Sequence, residues 1–514
     1  MIKHASAALA ALALFPHAPA LAQDGEQAPR AQQMIEVAEG TGLAAAGYLQ
    51  EIDANDDTGA QINAVIVQAE RDVAQAEAER AYRERGLLRG RTILVKDNVE
   101  TREWPTTAGS LALAGNATGR DAPVVARVRA NGGVILGKTN LSEWANIRST
   151  ASTSGWSAVG GQTRNPHAID RNPCGSSSGS GAAVAARFAW AAIGTETDGS
   201  VTCPASVNGI VGFKPTVGLV SRTHIVPISS SQDTAGPMSR DVHSAALLLS
   251  AMAGSDPADS ATAGADAYAI DFTRDLDSAS LSGVRIGVLR KAVGDYAPVT
   301  ALFEQALDDM RAAGAVIVDI DYEPDGAMYE AEYAVLLYEL RVGLADYLGS
   351  SPADIPVRTL ADVIAFNEAN ADTELRHFGQ EIFLMANEAT DEAAYREARA
   401  LSLRLAGAEG IDRLLRENDV AFLVAPTTGP AWPIDLVYGD NYPGSIGAGS
   451  LAAIAGYPHL SVPMGATDGL PVGLSIMGAK WTDHEVLKAG AAYERARTAP
   501  LASPSFDRWN PDAE

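Results

Sequence analysis

The segment from Cys174 to Cys203 constrains this chain more than any other. It opens with Cys174-Gly-Ser-Ser-Ser-Gly-Ser-Gly181 and closes with Gly194-Thr-Glu-Thr-Asp-Gly-Ser200-Val-Thr-Cys203. Between the two, Gly181 to Trp190 is mostly Ala, Val and Phe with no breaker inside it, which predicts a buried helix. Ala191 to Gly194 then reads as a short strand. A loop, a helix and a strand in that order return the second serine loop to the first. Glycines permit positive φ and close approach of a ligand to main-chain N–H groups. Serines add hydroxyls. Such loops suit a site that holds a developing anion and supplies a nucleophile. A flexible linker has the same composition, but linkers rarely flank a buried apolar helix on both sides.

Gly175-Ser-Ser177-Ser-Gly179 fits the G-x-S-x-G nucleophile elbow, with Ser177 as nucleophile. That motif needs a strand directly before it. Here Arg164-Asn-Pro-His and Asp170-Arg-Asn-Pro173 precede it, which is turn chemistry, so the elbow is set aside. A nucleophilic hydroxyl also needs a base. Thr92 to Val95 is an apolar, β-branched strand that ends on Lys96. Burial at a strand end lowers a lysine's pKa and lets it act as a neutral base. The plain alternative is a lysine snorkelling from the strand end into water.

The motifs taken together decide between these readings. Leu-Val-Lys96-Asp-Asn, Pro-Thr-Thr-Ala-Gly-Ser110, Gly-Ser-Ser-Ser-Gly179, Gly-Thr-Glu-Thr-Asp-Gly-Ser200 and Gly209-Ile-Val-Gly-Phe-Lys-Pro215 resemble the amidase signature family, in order and in spacing. The resemblance implies a Ser–Ser–Lys triad, with Lys96 as base, Ser176 as bridging serine and Ser200 as nucleophile. It implies amide hydrolysis through an acyl-enzyme, with the N–H groups of Thr197, Asp198, Gly199 and Ser200 on the oxyanion. Ser177 joins the expected oxyanion and substrate-contacting set. Asn146 could contact the substrate amide or cap a short helix. The family places a non-proline cis peptide before the bridging serine. No metal or organic cofactor is implied. Thr-Glu-Thr-Asp-Gly-Ser200, where many members carry Gly-Gly-Ser, is most similar to bacterial peptide amidases and points to C-terminal peptide amides. Aryl or aliphatic acylamides are alternative substrates. A non-catalytic peptide-binding scaffold is the rival from another class.

The 514 residues carry a formal charge of −25, with 64 acidic against 39 basic residues. That disfavours nucleic acid as a partner, and with it the family's tRNA-dependent amidation enzymes. Lys3 and His4, an apolar run from Ala5 to Phe15, and Ala20-Leu-Ala22 predict a signal peptide over residues 1–22 and export to a periplasm. That run is too short to span a bilayer, and no later stretch is long and apolar enough. Residues 23–514 are expected to form the amidase domain. The two cysteines, Cys174 and Cys203, could form a disulfide in an oxidising compartment or stand as two buried thiols. The sequence does not specify an oligomeric state.

Along the rest of the chain, strand and helix signals alternate, which is α/β. The family implies a single large domain with a mixed central β-sheet covered by helices on both faces. Asp53 to Gly59 imitates a calcium loop, but its glycine is one place late and Ala64 replaces the bidentate glutamate, so it reads as an acidic turn. Gly132 to Thr139 satisfies the phosphate-loop pattern. Val-Ile-Leu between its glycines is itself strand, so that reading fails too. Asp121 is expected to cap a helix through Ala130, and Gly218 to Ser221 to form a short strand. Val284–Leu289, Val299–Ala313 and Ala315–Ile320 predict a parallel β-α-β unit. Residues 327–415 read as a helical insertion near the substrate channel.

Overall fold

The computed structural model describes residues 44–442 and 445–511. The expected signal peptide lies outside them.

Thirteen strands are present among the described residues: β1 (Val65–Gln68), β2 (Thr92–Lys96), β3 (Val134–Thr139), β4 (Trp156–Ser157), β5 (Gly161–Gln162), β6 (Ala191–Glu196), β7 (Val211–Lys214), β8 (Thr234–Ser239), β9 (Arg285–Leu289), β10 (Val316–Ile320), β11 (Phe422–Pro426), β12 (His459–Thr467) and β13 (Leu470–Met477). Eleven form one sheet in the order β1-β3-β2-β6-β8-β7-β12-β13-β11-β9-β10, while β4 and β5 make a separate hairpin. The sheet is mixed in an orderly way. β2 lies parallel between β3 and β6, and β9 lies parallel between β10 and β11. The strands in the middle run antiparallel. Every residue of β2, β3, β6, β7 and β8 is buried. Strands that bury both alternating faces need cover on both sides, and the helices supply it. This is the single α/β domain that the sequence motifs implied.

The β-α-β unit is present as β9, a helix at Ala297–Ala312 and β10. Other expectations are corrected. Gly218 to Ser221 is a turn, in which Leu219 N donates to Thr216 O at 2.9 Å. Asp121 does not cap the helix Pro123–Ala130, which starts after Ala122. Its carboxylate instead accepts from Arg102 N at 3.0 Å and meets Arg129 Nε at 3.1 Å. A proline at the first helical position removes one orphan N–H, so the cap is not required.

The helix after the first serine loop spans Ser178–Ala185, earlier than its alanines suggest. Its first turn is built from Ser and Gly because it presses on the ends of other elements. A Cβ on Gly179 would stand 2.3 Å from Ala64 O and 2.5 Å from Asn140 O. Ser180 Oγ lies 2.7 Å from Thr139 Oγ1 at the end of β3. The serine-glycine run is thus a packing element as well as a loop.

Residues 327–415 contain the helices Gly326–Ser350, Leu360–Ala369, Ala371–Glu374, Glu381–Glu388 and Glu392–Leu403. Leu340, Leu344 and Phe383 belong to a core cluster of their own that includes Trp144. Trp144 meets Phe383 edge-on at 5.8 Å. That contact ties the helices to the loop carrying Asn146.

Gly132 to Thr139 is sheet rather than a phosphate loop, since Val134–Thr139 is β3. Lys138 is buried and pairs with buried Asp97 at 2.8 Å. Removing one partner of such a pair leaves an uncompensated buried charge, at a cost of about 3–5 kcal/mol. Lys138→Met should therefore lower the unfolding free energy by about that much in a urea titration, and adding Asp97→Asn should restore part of it. A single variant within about 1 kcal/mol of wild type would contradict the pairing.

Candidate active site

In open α/β sheets, ligands bind beyond the carboxyl ends of parallel strands. β2 ends on Lys96 and β6, its parallel neighbour, ends on Glu196. Lys96 is fully buried. Its Nζ lies 2.8 Å from Ser176 Oγ, 2.9 Å from Thr195 Oγ1 and 3.2 Å from Thr195 O. Burial lowers its pKa to about 7, against the opposing pull of the Asp233 and Glu196 carboxylates. A neutral amine here has a lone pair for the Ser176 hydroxyl and two N–H bonds for Thr195. Asn98 Nδ2 also donates to Thr195 Oγ1, at 2.9 Å, and fixes that hydroxyl.

The two serine loops meet, as the order of elements required. Ser177 N donates to Ser200 O at 3.1 Å. Cys174 and Cys203 are joined in a disulfide, with Cα atoms 6.0 Å apart, which resolves the choice left open by the sequence. The Gly175–Ser176 peptide bond is cis. Ser142 N donates to Ser176 O at 3.1 Å and holds the loop from the other side.

Carboxylates shape the second loop. Glu196 Oε2 accepts from Val201 N at 2.7 Å and Thr202 N at 2.9 Å, at the start of the helix Thr202–Val207. Thr197 Oγ1 donates to Asp233 Oδ1 at 2.6 Å, and Asp233 Oδ2 accepts from Ile228 N and Ser229 N. Burial raises the pKa of Asp233 to about 6. Pinned at both ends, the turn Thr197–Ser200 passes through Gly199 at φ 78°. Among the described residues, none of its four main-chain N–H groups donates to a protein acceptor. An anion at this turn meets donors already free of partners.

The turn faces a cleft of ≈ 550 Å³. Thr197, Asp198, Gly199, Ser200, Gly175 and Asn146 all line it, with Tyr329, Trp432 and Tyr442 adding aromatic walls and Ser450 and His459 polar groups. Ser200 is 8% exposed, and Ser176 is 1% exposed, deeper and toward Lys96. Burial raises the pKa of Asp198 to about 6, against the opposing effect of Ser450. Asn146 sits at φ 73°, with Nδ2 donating to Ser154 Oγ at 3.2 Å and no partner for Oδ1 among the described residues. It makes no cap; it faces the cleft.

Ser177 is the correction. It is buried and exchanges two hydrogen bonds with the Thr195 main chain: Oγ donates to Thr195 O at 3.0 Å and accepts from Thr195 N at 3.1 Å. It does not reach the cleft. Its hydroxyl substitutes for strand pairing and holds Thr195 against Lys96. Thr195, Glu196 and Glu332 were given no role from the sequence. Thr195 and Glu196 stand inside the second motif, where a strand–loop junction with a carboxylate is the signal that could have marked them.

Comparison with known proteins agrees with this geometry. The family model for amidases matches residues 44–487. A probable amidase of Arabidopsis thaliana is 39% identical over 442 residues, covering 82% of this chain and 81% of that protein. A glutamyl-tRNA(Gln) amidotransferase component from Symbiobacterium thermophilum is 36% identical over 438 residues, covering 82% and 86%. Among solved structures, the native peptide amidase from Stenotrophomonas maltophilia superposes with a TM-score of 0.86 at 49% identity, covering 94% of this chain and 99% of that one. A peptide amidase in complex with the competitive inhibitor chymostatin gives a TM-score of 0.87 at 50% identity, covering 92% and 98%. Fold, site and matches define the class, an amide-hydrolysing enzyme. The chain belongs to the amidase signature family.

The Cys174–Cys203 bridge closes a loop of 29 residues between the two halves of the site. The chain-entropy model assigns such a loop roughly 3–4 kcal/mol. Cys174→Ala with Cys203→Ala should lower the unfolding free energy by about that amount in guanidinium, and an unchanged midpoint would contradict it.

Proposed function

We propose that the protein is an exported hydrolase that releases ammonia from C-terminal peptide amides, through an acyl-enzyme on Ser200 with Ser176 and Lys96 as proton relay. The observation that carries this reading is the 2.8 Å approach of Lys96 Nζ to Ser176 Oγ, deep behind a loop that presents Ser200 to a cleft. Ser200 Oγ attacks the carboxamide carbon as its proton passes to Ser176, whose own proton passes to neutral Lys96. Charge develops on the carbonyl oxygen beside the N–H groups of Thr197 to Ser200. One such donor is worth roughly 3–4 kcal/mol of barrier. Collapse breaks the C–N bond, and the proton returns through Ser176 to the leaving ammonia. Water then attacks the ester by the same relay in reverse and frees the acid.

The peptide reading is supported by the likeness to peptide amidases at about half identity along nearly the whole chain. A cleft of ≈ 550 Å³ with three aromatic walls suits a peptide end. The likeness to the tRNA amidotransferase component is lower, and a net charge of −25 disfavours work beside tRNA. Export rests on residues 1–22, and a disulfide favours an oxidising compartment.

Ser200→Ala, Ser176→Ala and Lys96→Ala should each lower kcat for a peptide amide by roughly a thousandfold or more, and not additively when combined. A fluorophosphonate probe should label wild type on Ser200 and leave Ser200→Ala unlabelled. Near-normal turnover by Ser200→Ala would end the assignment. The relay needs Lys96 uncharged, and its pKa is lowered to about 7. Protonation below that value removes the base, so kcat/KM should rise with pH through about 7 and level off above it. A profile flat from acid to alkaline pH would contradict a lysine base.

A further inference from the structure

Beyond the proposed relay, one side chain at the cleft has an unused chemical capacity. His459 opens β12 and pairs in register with Lys214 of β7. It is fully buried, yet it lines the cleft with Gly449, Ser450, Thr427 and Ser200. Its Nε2 lies 2.6 Å from Ser475 Oγ. Ser475 Oγ in turn donates to Thr427 Oγ1 at 3.0 Å, and Thr427 Oγ1 lies 2.9 Å from Ser461 Oγ. Because the Ser475 proton is spent on Thr427, Ser475 can only accept from the imidazole. That fixes the proton on Nε2 and leaves Nδ1 as a bare lone pair.

Nδ1 has no hydrogen-bond partner among the described residues. Gly449, which also lines the cleft, packs against that edge of the ring. A Cβ on Gly449 would stand 3.1 Å from His459 Cε1 and 3.6 Å from Nδ1. Burial, reinforced by the Lys214 ammonium, pushes the imidazole pKa down to about 3. The ring therefore serves as an acceptor and not as an acid. A buried acceptor left unmatched is costly, and buried polar groups ordinarily find partners. Here the ring that carries it lines the cleft.

We propose that His459 is a specificity-determining residue that accepts a substrate N–H through Nδ1. The proposal rests on the reading of the cleft as the amide-binding site. Two N–H sources share this chemistry: the carboxamide that is cleaved, and the backbone amide of the residue that bears it. An ester offers the first no donor, and N-methylation removes the second.

Two variants separate an acceptor role from a structural one. His459→Gln keeps an N–H near the Nε2 position for Ser475 and loses the acceptor. His459→Asn keeps an acceptor near the Nδ1 position and loses the bond to Ser475. The assay measures kcat and KM of the full chain on an N-acetylated dipeptide amide, its backbone N-methylated form and its methyl ester. His459→Gln should lose roughly ten- to a hundredfold in kcat/KM on the dipeptide amide. It should match wild type on whichever analogue lacks the N–H concerned, the ester or the N-methyl amide, and so identify the source. His459→Asn should stand between the two. If His459→Asn is the weaker variant, if both lose equally on all three substrates, or if His459→Gln is indistinguishable from wild type, the proposal is overturned. Wild-type failure on the dipeptide amide would instead count against the peptide reading. The same amide-to-ester comparison then tests His459 with any primary amide that the enzyme hydrolyses.

Discussion

The structure turns on one buried amine. Lys96 sits at the end of a strand whose every residue is buried, and its Nζ hydrogen-bonds to no carboxylate among the described residues. Its three neighbours are two hydroxyls and a carbonyl, which can satisfy an uncharged amine and bring no charge of their own to hold a proton on it. Paired directly to a carboxylate, the same lysine would keep its proton. The neighbouring strand shows the contrast. Lys138 is as deeply buried, but it meets Asp97 at 2.8 Å as a structural ion pair. Adjacent strands thus hold two buried lysines, and the partner of each sets what it can do.

From that amine the rest follows outward. Thr195 must stand beside Nζ, so Ser177 clamps its main chain from below and Asn98 clamps its hydroxyl. Ser176 must reach the amine from the other side, so the loop that carries it is tied by Ser142 N, by the Ser177–Ser200 contact and by the disulfide. The turn that presents Ser200 is held by Glu196 at its end and by Asp233 at its start. These carboxylates are buried, costly groups, retained where main-chain N–H groups and a threonine hydroxyl use their oxygens. The middle of the turn keeps its N–H groups free of protein partners among the described residues. Such preorganisation spares the reaction the work of aligning dipoles when charge appears.

How much of this could be read from residues alone depends on the range of each interaction. Lys96, Ser176 and Ser200 stood out because each lies in a compact motif where local residue types carry the signal. The alternating pattern implied α/β, and the β9–β10 unit was legible because both its strands and its helix are continuous in the chain. The role of Ser177 was not legible. Ser176 and Ser177 are identical side chains one residue apart, and only the direction of the backbone sends one to Lys96 and the other to Thr195. Glu332 lies far along the chain from the turn it supports through Gln232, so no local pattern marks it. Asp121 failed as a cap because two arginines compete for it. The helix after the first loop started early because its glycines answer to Ala64 and Asn140, contacts that form only on folding.

The central claim is a protonation state, and it can be observed directly. Protein labelled with ¹³C at lysine Cε can be titrated by NMR, with Lys96→Arg used to assign the resonance. The account predicts one lysine whose midpoint lies near about 7, far below the ordinary value of 10.5. A Lys96 resonance that stays in its ammonium position up to the ordinary lysine range would contradict it.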